Sequence, residues 1–547
     1  MAEQTPVLIA GAGPAGLALA IELGTRGVAC VIVERNDRVG HAPRAKTTHV
    51  RTREHLRRWG IANRLAAASP FGVDYPSNVV FATRLAGHFL TRIENAFNCA
   101  PAQSPLYSEH AQWIPQYLLE EVLREFAESL PGVQLRFNCE LLDYKVKDGT
   151  VYSRFKRQPG DHEFTVESRY LVGADGARST VRELLGARME GAYGLSRNYN
   201  IVFRAPGLMQ AHTHGPAIMY WQINPDAPSL LGPMDTGDRW FFMPTGVAEE
   251  LKLSDPDAVA LIRKATGIDL PYEILSSDEW VASRFIADRY CDGPVFLIGD
   301  ACHLHPPFGG YGMNMGVSDS VDLGWKLAAV LQGWGGATLL QSYQSERRPV
   351  HQMVIEEAVA NHALLGNQLW RAGLEDAGDA ADTLRRDLGE LISQAKRREF
   401  KSLGVVLGYR YEHSPVIAYD EALRDDRPNT HPGHYQPTDH PGCLAPHLWI
   451  SPHESLYDLF GSGFTLLVSR DGAPADLECA AKEALALGIP LQTLKLFRDD
   501  VQALYRCRYT LIRPDQHVAW RGESWTGRSL LEKVTGRIGG QTSCRKV

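Results

Sequence analysis

Residues 7–35 read VLIAGAGPAGLALAIELGTRGVACVIVER. Val7 to Ala10 is a short apolar run, as expected of a strand buried on both faces. Gly11, Gly13 and Gly16 follow as a G-x-G-x-x-G turn. Leu17 to Leu23 carries apolar residues at helical spacing, and Gly24 and Gly27 end that helix. Val28 to Val33 is a second buried strand, closed by Glu34. The whole is a β-α-β unit. The first glycine permits the tight turn, the second lets a pyrophosphate approach the backbone, and the third lets helix and strand pack closely. The helix N-terminus offers free N–H groups to phosphate. Glu34 stands where a carboxylate accepts hydrogen bonds from an adenosine ribose. An acid there fits NAD or FAD and argues against a 2′-phosphate.

Size and composition bound the rest. A chain of 547 residues has room for two to four domains. A hydrophobic content of 44% and a charged content of 22% are ordinary for a globular protein. The net charge of −7 and the lack of a basic run argue against a nucleic-acid partner. No apolar run is long enough to span a membrane. The chain enters its first strand almost at once, so no secretory signal is expected. Nine cysteines without a C-x-x-C pair suit a reducing, cytoplasmic setting.

Beyond the first unit, Arg44, Lys46, Arg51 and Arg53 form a positive cluster. Arg44 is placed to meet an anion, whereas Arg51 and Arg53 read as a solvated helix face. Asn78 to Ala86 and His88 to Ile93 read as a hairpin, and Gln116 to Phe126 as an amphipathic helix. Leu141 to Lys147 and Val151 to Phe155 pair around the turn Asp148-Gly149. The character changes between 187 and 285, where short strands alternate with Pro, Gly and Asp. The expected division is a first dinucleotide-binding part over 1–186, an inserted antiparallel-sheet substrate domain over 187–285, a second dinucleotide-binding part with long helices over 286–400, and a C-terminal domain over 401–547. The helical pattern runs from Met315 to Leu331 and from Ala337 to about Arg397.

Two further stretches narrow the function. One is Gly173-Ala174-Asp175-Gly176-Ala177-Arg178-Ser179. The other is Gly299-Asp300, then His303, Pro306-Pro307, Gly309-Gly310 and Gly312-Met313-Asn314. With GAGPAG, these closely resemble the three fingerprints of the class A flavoprotein monooxygenases, the single-component FAD aromatic hydroxylases. The tail, through Pro446-His447, Ser455-Leu456-Tyr457-Asp458 and Arg513-Pro514-Asp515, resembles the thioredoxin-like C-terminal domain of the phenol-hydroxylase-type subgroup. The tail lacks a C-x-x-C, so packing or a homodimer contact is its expected role.

The resemblance implies an α/β fold: a Rossmann-like FAD-binding domain, an inserted antiparallel-sheet substrate domain and a thioredoxin-like C-terminal domain. It implies bound FAD and a transient NADH or NADPH that reduces it, with no fold of its own. The reduced flavin then adds O2 to give a C4a-hydroperoxide, which a phenolic ring attacks. Cofactor contacts fall on Gly11, Gly13, Ala15, Gly16, Glu34, Arg35, Arg44, Gln116, Leu141, Asp175, Asp300, Pro307, Gly312, Met313 and Asn314. Helical N–H groups at 312–314 can stabilise negative charge on the reduced ring. The substrate side falls on Met219, Trp221, Arg239 and Phe241, with Tyr311 standing where the family usually has Gln. Strand alternation separates Met219 and Trp221 from Tyr220 and Gln222. Tyr220, Asp235, His214 and His49 are the candidates for the phenol's base. Cys302, His303 and His305 have metal-like spacing, but with no second ligand cluster no metal is expected. A Baeyer–Villiger-type oxygenase of a larger polycyclic ketone and a non-catalytic flavoprotein are the competing readings.

Overall fold

The computed structural model describes residues 3–37, 45–160, 162–247, 252–364, 366–419 and 431–537; Arg44 lies outside them. The opening unit forms as read, with strand Glu3–Ala10, helix Pro14–Thr25 and strand Cys30–Val33. These strands lie in the parallel centre of a sheet whose order is Cys291–Asp292, Val295–Leu297, His162–Gly173, Glu3–Ala10, Cys30–Val33, Val133–Arg136. The long strand His162–Gly173 serves two partners. It pairs antiparallel with Thr150–Arg157 at its start, and parallel with Glu3–Ala10 and Val295–Leu297 further on. The hairpin before it turns through Asp148 and Gly149, both at positive φ (52° and 76°), as a tight primed turn requires. Burial at the sheet's centre is why residues 7–10, 30–33, 171–173 and 295–297 carry no polar side chain facing solvent.

A second sheet has eight strands, in the order His303–Leu304, Glu273–Ala287, Met189–Arg204, Arg239–Pro244, Ser229–Pro233, Met219–Gln222, Val79–Ala82, Phe89–Ile93. It reaches beyond the 187–285 segment, because the hairpin from 79 to 93 forms one edge and residues 303–304 the other. Its pairings are antiparallel, except that Met219–Gln222 runs parallel to Val79–Ala82. Helix Asp255–Thr266, capped by Ser254 and Asp257, covers its outer face. The helical pattern after 337 breaks into Ala337–His362 and Asp379–Phe400, with the short helix Gly366–Leu369 between.

The C-terminal domain has the four-stranded order Leu491–Lys495, Phe464–Val468, Tyr509–Ile512, Val518–Gly522. The first pair is parallel across helix Pro474–Ala486, and the other two pairs are antiparallel. This is a thioredoxin-like arrangement. It joins the rest through buried charge. Arg513 donates to Glu346 at 2.7 Å, Asp322 at 3.0 Å and Asp515 at 2.6 Å. Lys326 completes the cluster, 2.8 Å from Asp322 and 2.6 Å from Glu346. Arg51 and Arg53 are not a solvated face: both are buried. Arg51 donates to the Asp515 carbonyl at 2.7 Å and to Gln516 at 2.6 Å, and Arg53 to the Ala62 carbonyl and to Glu109. Spacing on the short helix Val50–Arg58 shows which side chains share a face. It does not show that a distant domain covers that face.

Candidate active site

The glycine turn is built by close contact. Gly11 has φ +106°, and a Cβ there would stand 2.3 Å from the Ala174 carbonyl oxygen. Gly11 donates to the Val33 carbonyl, and Ala174 to that of Ala10, which puts the Asp175 segment beside the turn. A Cβ on Gly16 would lie 2.0 Å from the Gly11 oxygen. Gly13 differs: it caps the helix with φ −74° and ψ −177°, and nothing stands within 4 Å of where its Cβ would be. Glu34 accepts the Ala12 N–H at 3.0 Å and the Asn36 N–H at 3.0 Å, so its carboxylate is pinned at the strand end. Arg35 beside it is exposed. Leu141 lies in the adjoining strand Cys139–Lys147, whose first residue donates to the Glu34 carbonyl. Gln116 donates its backbone N–H to the Ala45 carbonyl and its side chain to Glu120.

The Gly299-Asp300 segment meets this turn directly. A Cβ on Gly299 would lie 3.1 Å from the Ala15 Cβ, and one on Gly316 would lie 3.2 Å from the Gly299 Cα. Ser320 also donates to the Ala15 carbonyl at 2.7 Å. Asp300 is exposed at the end of strand Val295–Leu297, whereas Asp175 is turned inward. The Asp175 carboxylate accepts the Ser179 hydroxyl and the Val181 N–H, and burial raises its pKa. Arg178 is exposed. Asp319 holds the loop from behind. It accepts the Gly299 N–H at 3.1 Å and Arg347 at 2.8 Å, and His303 Nε2 lies 2.8 Å away. Cys302, His303 and Asp319 bring ligand-type atoms within 4.8 Å of one another, but the carboxylate is committed to Arg347.

Pro307 is exposed, and Gly309 and Gly310 (φ +95° and +67°) lead into the helix Tyr311–Leu331. Space is open at the Gly312 Cβ position, and Met313 is partly buried. The contact expected at Asn314 is through its helical N–H, and the side chain is engaged elsewhere. It accepts the His49 N–H at 2.8 Å and the Thr52 hydroxyl at 2.7 Å. It donates to the carbonyls of Thr47 at 2.9 Å and Gly310 at 2.7 Å. A buried amide so fully used braces the loop, which leaves only backbone to face a ligand. Tyr311 is buried 5.6 Å from the His49 ring and packed under Gly309.

Across from this loop stands one face of the eight-stranded sheet. Trp221 and Phe241 belong to the same core cluster as Phe308 and Tyr311, with Met219 packed against it. Trp221 stacks on Phe81 and lies 6.4 Å from Phe308. Tyr220 and Trp240 point the other way, into the cluster beneath helix Asp255–Thr266. Tyr220 donates to the Gly215 carbonyl at 2.6 Å, and burial raises its pKa. His214 is near that face too, 6.3 Å from Phe89, and burial lowers its pKa. Asp235 accepts the Gly237 N–H in the turn before Arg239, which is half exposed and 3.6 Å from it. Of the four candidate bases only His49 adjoins the loop. Its Nε2 is buried with no hydrogen-bond partner among the described residues, and burial pulls its pKa down to about 4.

Lys46 was legible only as part of a charge cluster. Its Nζ lies 3.5 Å from the centre of the Phe241 ring, and burial lowers its pKa to about 7. No spacing rule would single it out, because the ring it meets lies nearly two hundred residues away.

The donor set fits a flavin dinucleotide. The turn and the loop each present a helix N-terminus with an open glycine position, Gly13 and Gly312, and they share the Ala15–Gly299–Gly316 contact. Comparison with known proteins agrees. The FAD binding domain model matches residues 4–358, and the aromatic-ring hydroxylase C-terminal model matches residues 438–542. The chain is 31% identical to tetracenomycin A2 monooxygenase-dioxygenase of Streptomyces glaucescens, covering 98% of both chains. It is 30% identical to 2,4-dichlorophenol 6-monooxygenase of Delftia acidovorans, covering 95% of both. The solved structure of the rebeccamycin biosynthetic enzyme RebC with reduced flavin matches at a TM-score of 0.89, with 32% identity over 98% of this chain and all of that one. A ternary complex of aklavinone-11 hydroxylase with FAD and aklavinone matches at 0.84, with 29% identity over 98% of this chain and all of that one. Fold and site together define an FAD-dependent monooxygenase. More particularly, the chain belongs to the aromatic-ring hydroxylases that join this FAD binding domain to a dedicated C-terminal domain.

Proposed function

We propose that this hydroxylase acts on a phenolic aromatic held between the Met219–Trp221–Phe241 face and the loop from Pro307 to Asn314. The observation that carries this reading is the shared apolar cluster of Trp221, Phe241 and Phe308, which joins the sheet to the glycine loop. A planar aromatic suits such a wall, and an apolar pocket excludes the water that would divert the oxygen. FAD, when bound, supplies the redox chemistry: it takes a hydride from NAD(P)H and activates O2 to deliver one oxygen atom to the ring. Gly11 to Gly16 and Glu34 would hold its adenosine diphosphate end, with Leu141 alongside. Backbone at 312–314 would meet the ring. The domain limits expected from sequence serve this reading if the hairpin from 79 to 93 is counted with the substrate sheet. Ring hydroxylation is favoured over oxygen insertion beside a ketone, because a chlorophenol monooxygenase is among the relatives.

The test is a panel of single-ring and fused-ring phenols on the purified yellow protein, following NAD(P)H and O2 consumption together. A phenol that stimulates both and gains one oxygen on a ring carbon supports the reading. Oxidation that no phenol stimulates would overturn it.

A further inference from the structure

Lys46 brings a cation to the aromatic wall without an anion to match it. It directly precedes the two-residue strand Thr47–Thr48, and its carbonyl accepts the Ile114 N–H at 2.7 Å. Thr47 is held by Asn314, and its Cβ lies 3.4 Å from where a Cβ on Gly310 would stand. The backbone of Lys46 is therefore fixed beside the glycine loop. Its Nζ sits over Phe241, the sheet residue that shares a cluster with Phe308. Lys46 is half-buried; among the described residues the fully buried lysines are Lys326 and Lys396, and both are paired. Lys326 lies 2.8 Å from Asp322 and 2.6 Å from Glu346, and Lys396 lies 2.8 Å from Glu399. Among the described residues no carboxylate pairs with Lys46. Burial alone lowers its pKa to about 7, with no neighbouring charge to offset it. The ring face stabilises the cation only in part. Even a partly desolvated amine without a counter-charge carries a cost that an arriving anion would remove.

We propose that Lys46 is a substrate-binding residue whose ammonium takes the ionised oxygen of an acidic phenol, a phenolate, beside Phe241. The inference rests on the phenol reading and sharpens it, since acidic phenols are then the preferred substrates. An ammonium donating to a phenolate makes a charge-assisted hydrogen bond, among the stronger kinds.

The test uses the holoenzyme, with the phenol that stimulates wild-type turnover most and that phenol's methyl ether as a neutral competitor. In Lys46→Met the stem still packs on Phe241, but the charge is gone. The KM for the phenol is expected to rise about 10- to 100-fold, the worth of one hydrogen bond to a charged group. The expected kcat stays within a few-fold, and the KM for NAD(P)H, FAD content and inhibition by the ether stay unchanged. Lys46→Arg should recover most of the lost affinity, which a purely structural role would not predict. An unchanged phenol KM in Lys46→Met overturns the assignment and leaves the phenol reading standing. So does a loss that falls on NAD(P)H or on FAD instead. If no phenol stimulates the wild type, the phenol reading falls and this assignment with it.

Discussion

Gly13 offers a way to separate folding from cofactor binding. Its backbone is ordinary for any residue, at φ −74° and ψ −177°, and its Cβ position is empty to 4 Å. Gly13→Ala therefore costs the cofactor-free protein nothing in contacts, and the stiffer unfolded chain contributes about 0.4–1 kcal/mol in its favour. The same methyl group would stand where a pyrophosphate must approach. Losing one hydrogen bond to a charged phosphate costs about 1.5–3 kcal/mol, or roughly 10- to 100-fold in FAD affinity. A 100-fold loss removes about 2.7 kcal/mol of ligand-dependent stabilisation at a fixed FAD excess. Gly11→Ala is the contrast, because φ +106° and a Cβ 2.3 Å from the Ala174 oxygen strain the fold with or without cofactor. The assay is thermal melting of apoprotein with and without FAD, beside FAD titration by fluorescence quenching. Gly13→Ala should melt like wild type without FAD and gain far less with it. Gly11→Ala should melt lower in both. Wild-type FAD affinity in Gly13→Ala would refute the placement of the pyrophosphate over this residue.

Other outcomes follow from the described contacts. Arg513→Met leaves Glu346 and Asp322 with Lys326 as their cation and Asp515 beside His517, and should cost about 3–5 kcal/mol in denaturant unfolding. Glu22 is fully buried. Burial pushes its carboxyl up, but Arg58 and Arg26 outweigh that and hold its pKa at about 2. Its folded pKa is depressed, so its contribution of about 3 kcal/mol is present above pH 4.5 and is lost as pH falls toward 2. The stability gap between wild type and Glu22→Gln should stay level from pH 7 to 5 and narrow below 4.5. Asn314→Ala removes the brace on the 47–49 segment, so amide exchange at His49 should quicken while the distant tail is unaffected. Tyr220→Phe loses the hydroxyl's contacts to the Gly215 carbonyl and the Met209 sulfur, on the far side of the sheet, so kcat should stay within about twofold; a hundredfold loss would favour Tyr220 as the base.

The parts legible in the sequence are those written in short-range pattern. Three glycine-rich segments, the apolar strands between them and the Asp148-Gly149 turn all depend on neighbours within a few residues. Alternation also separated Trp221 from Tyr220, although sequence alone did not say which of the two met the loop. What escaped depends on distant partners. The hairpin from 79 to 93 joins a sheet built mainly from residues after 187. Arg51 looks like a surface charge until Asp515 covers it. The bracing part of the Asn314 side chain, whose amide is fully used by residues 47, 49, 52 and 310, also depends on partners far off in sequence.

The helix Val50–Arg58 is tied at both ends of the story. Thr52 and the His49 N–H are held by Asn314 in the first turn of helix Tyr311–Leu331, and Arg51, between them in sequence, is held by Asp515 and Gln516 of the tail. For anyone building hybrids within this family, the unit of exchange is therefore not the tail alone. A C-terminal domain grafted from a relative would need its own matching residues at 51, 322 and 346. A mismatched graft would announce itself in the colour and oxygen leakage of the enzyme, well away from the seam.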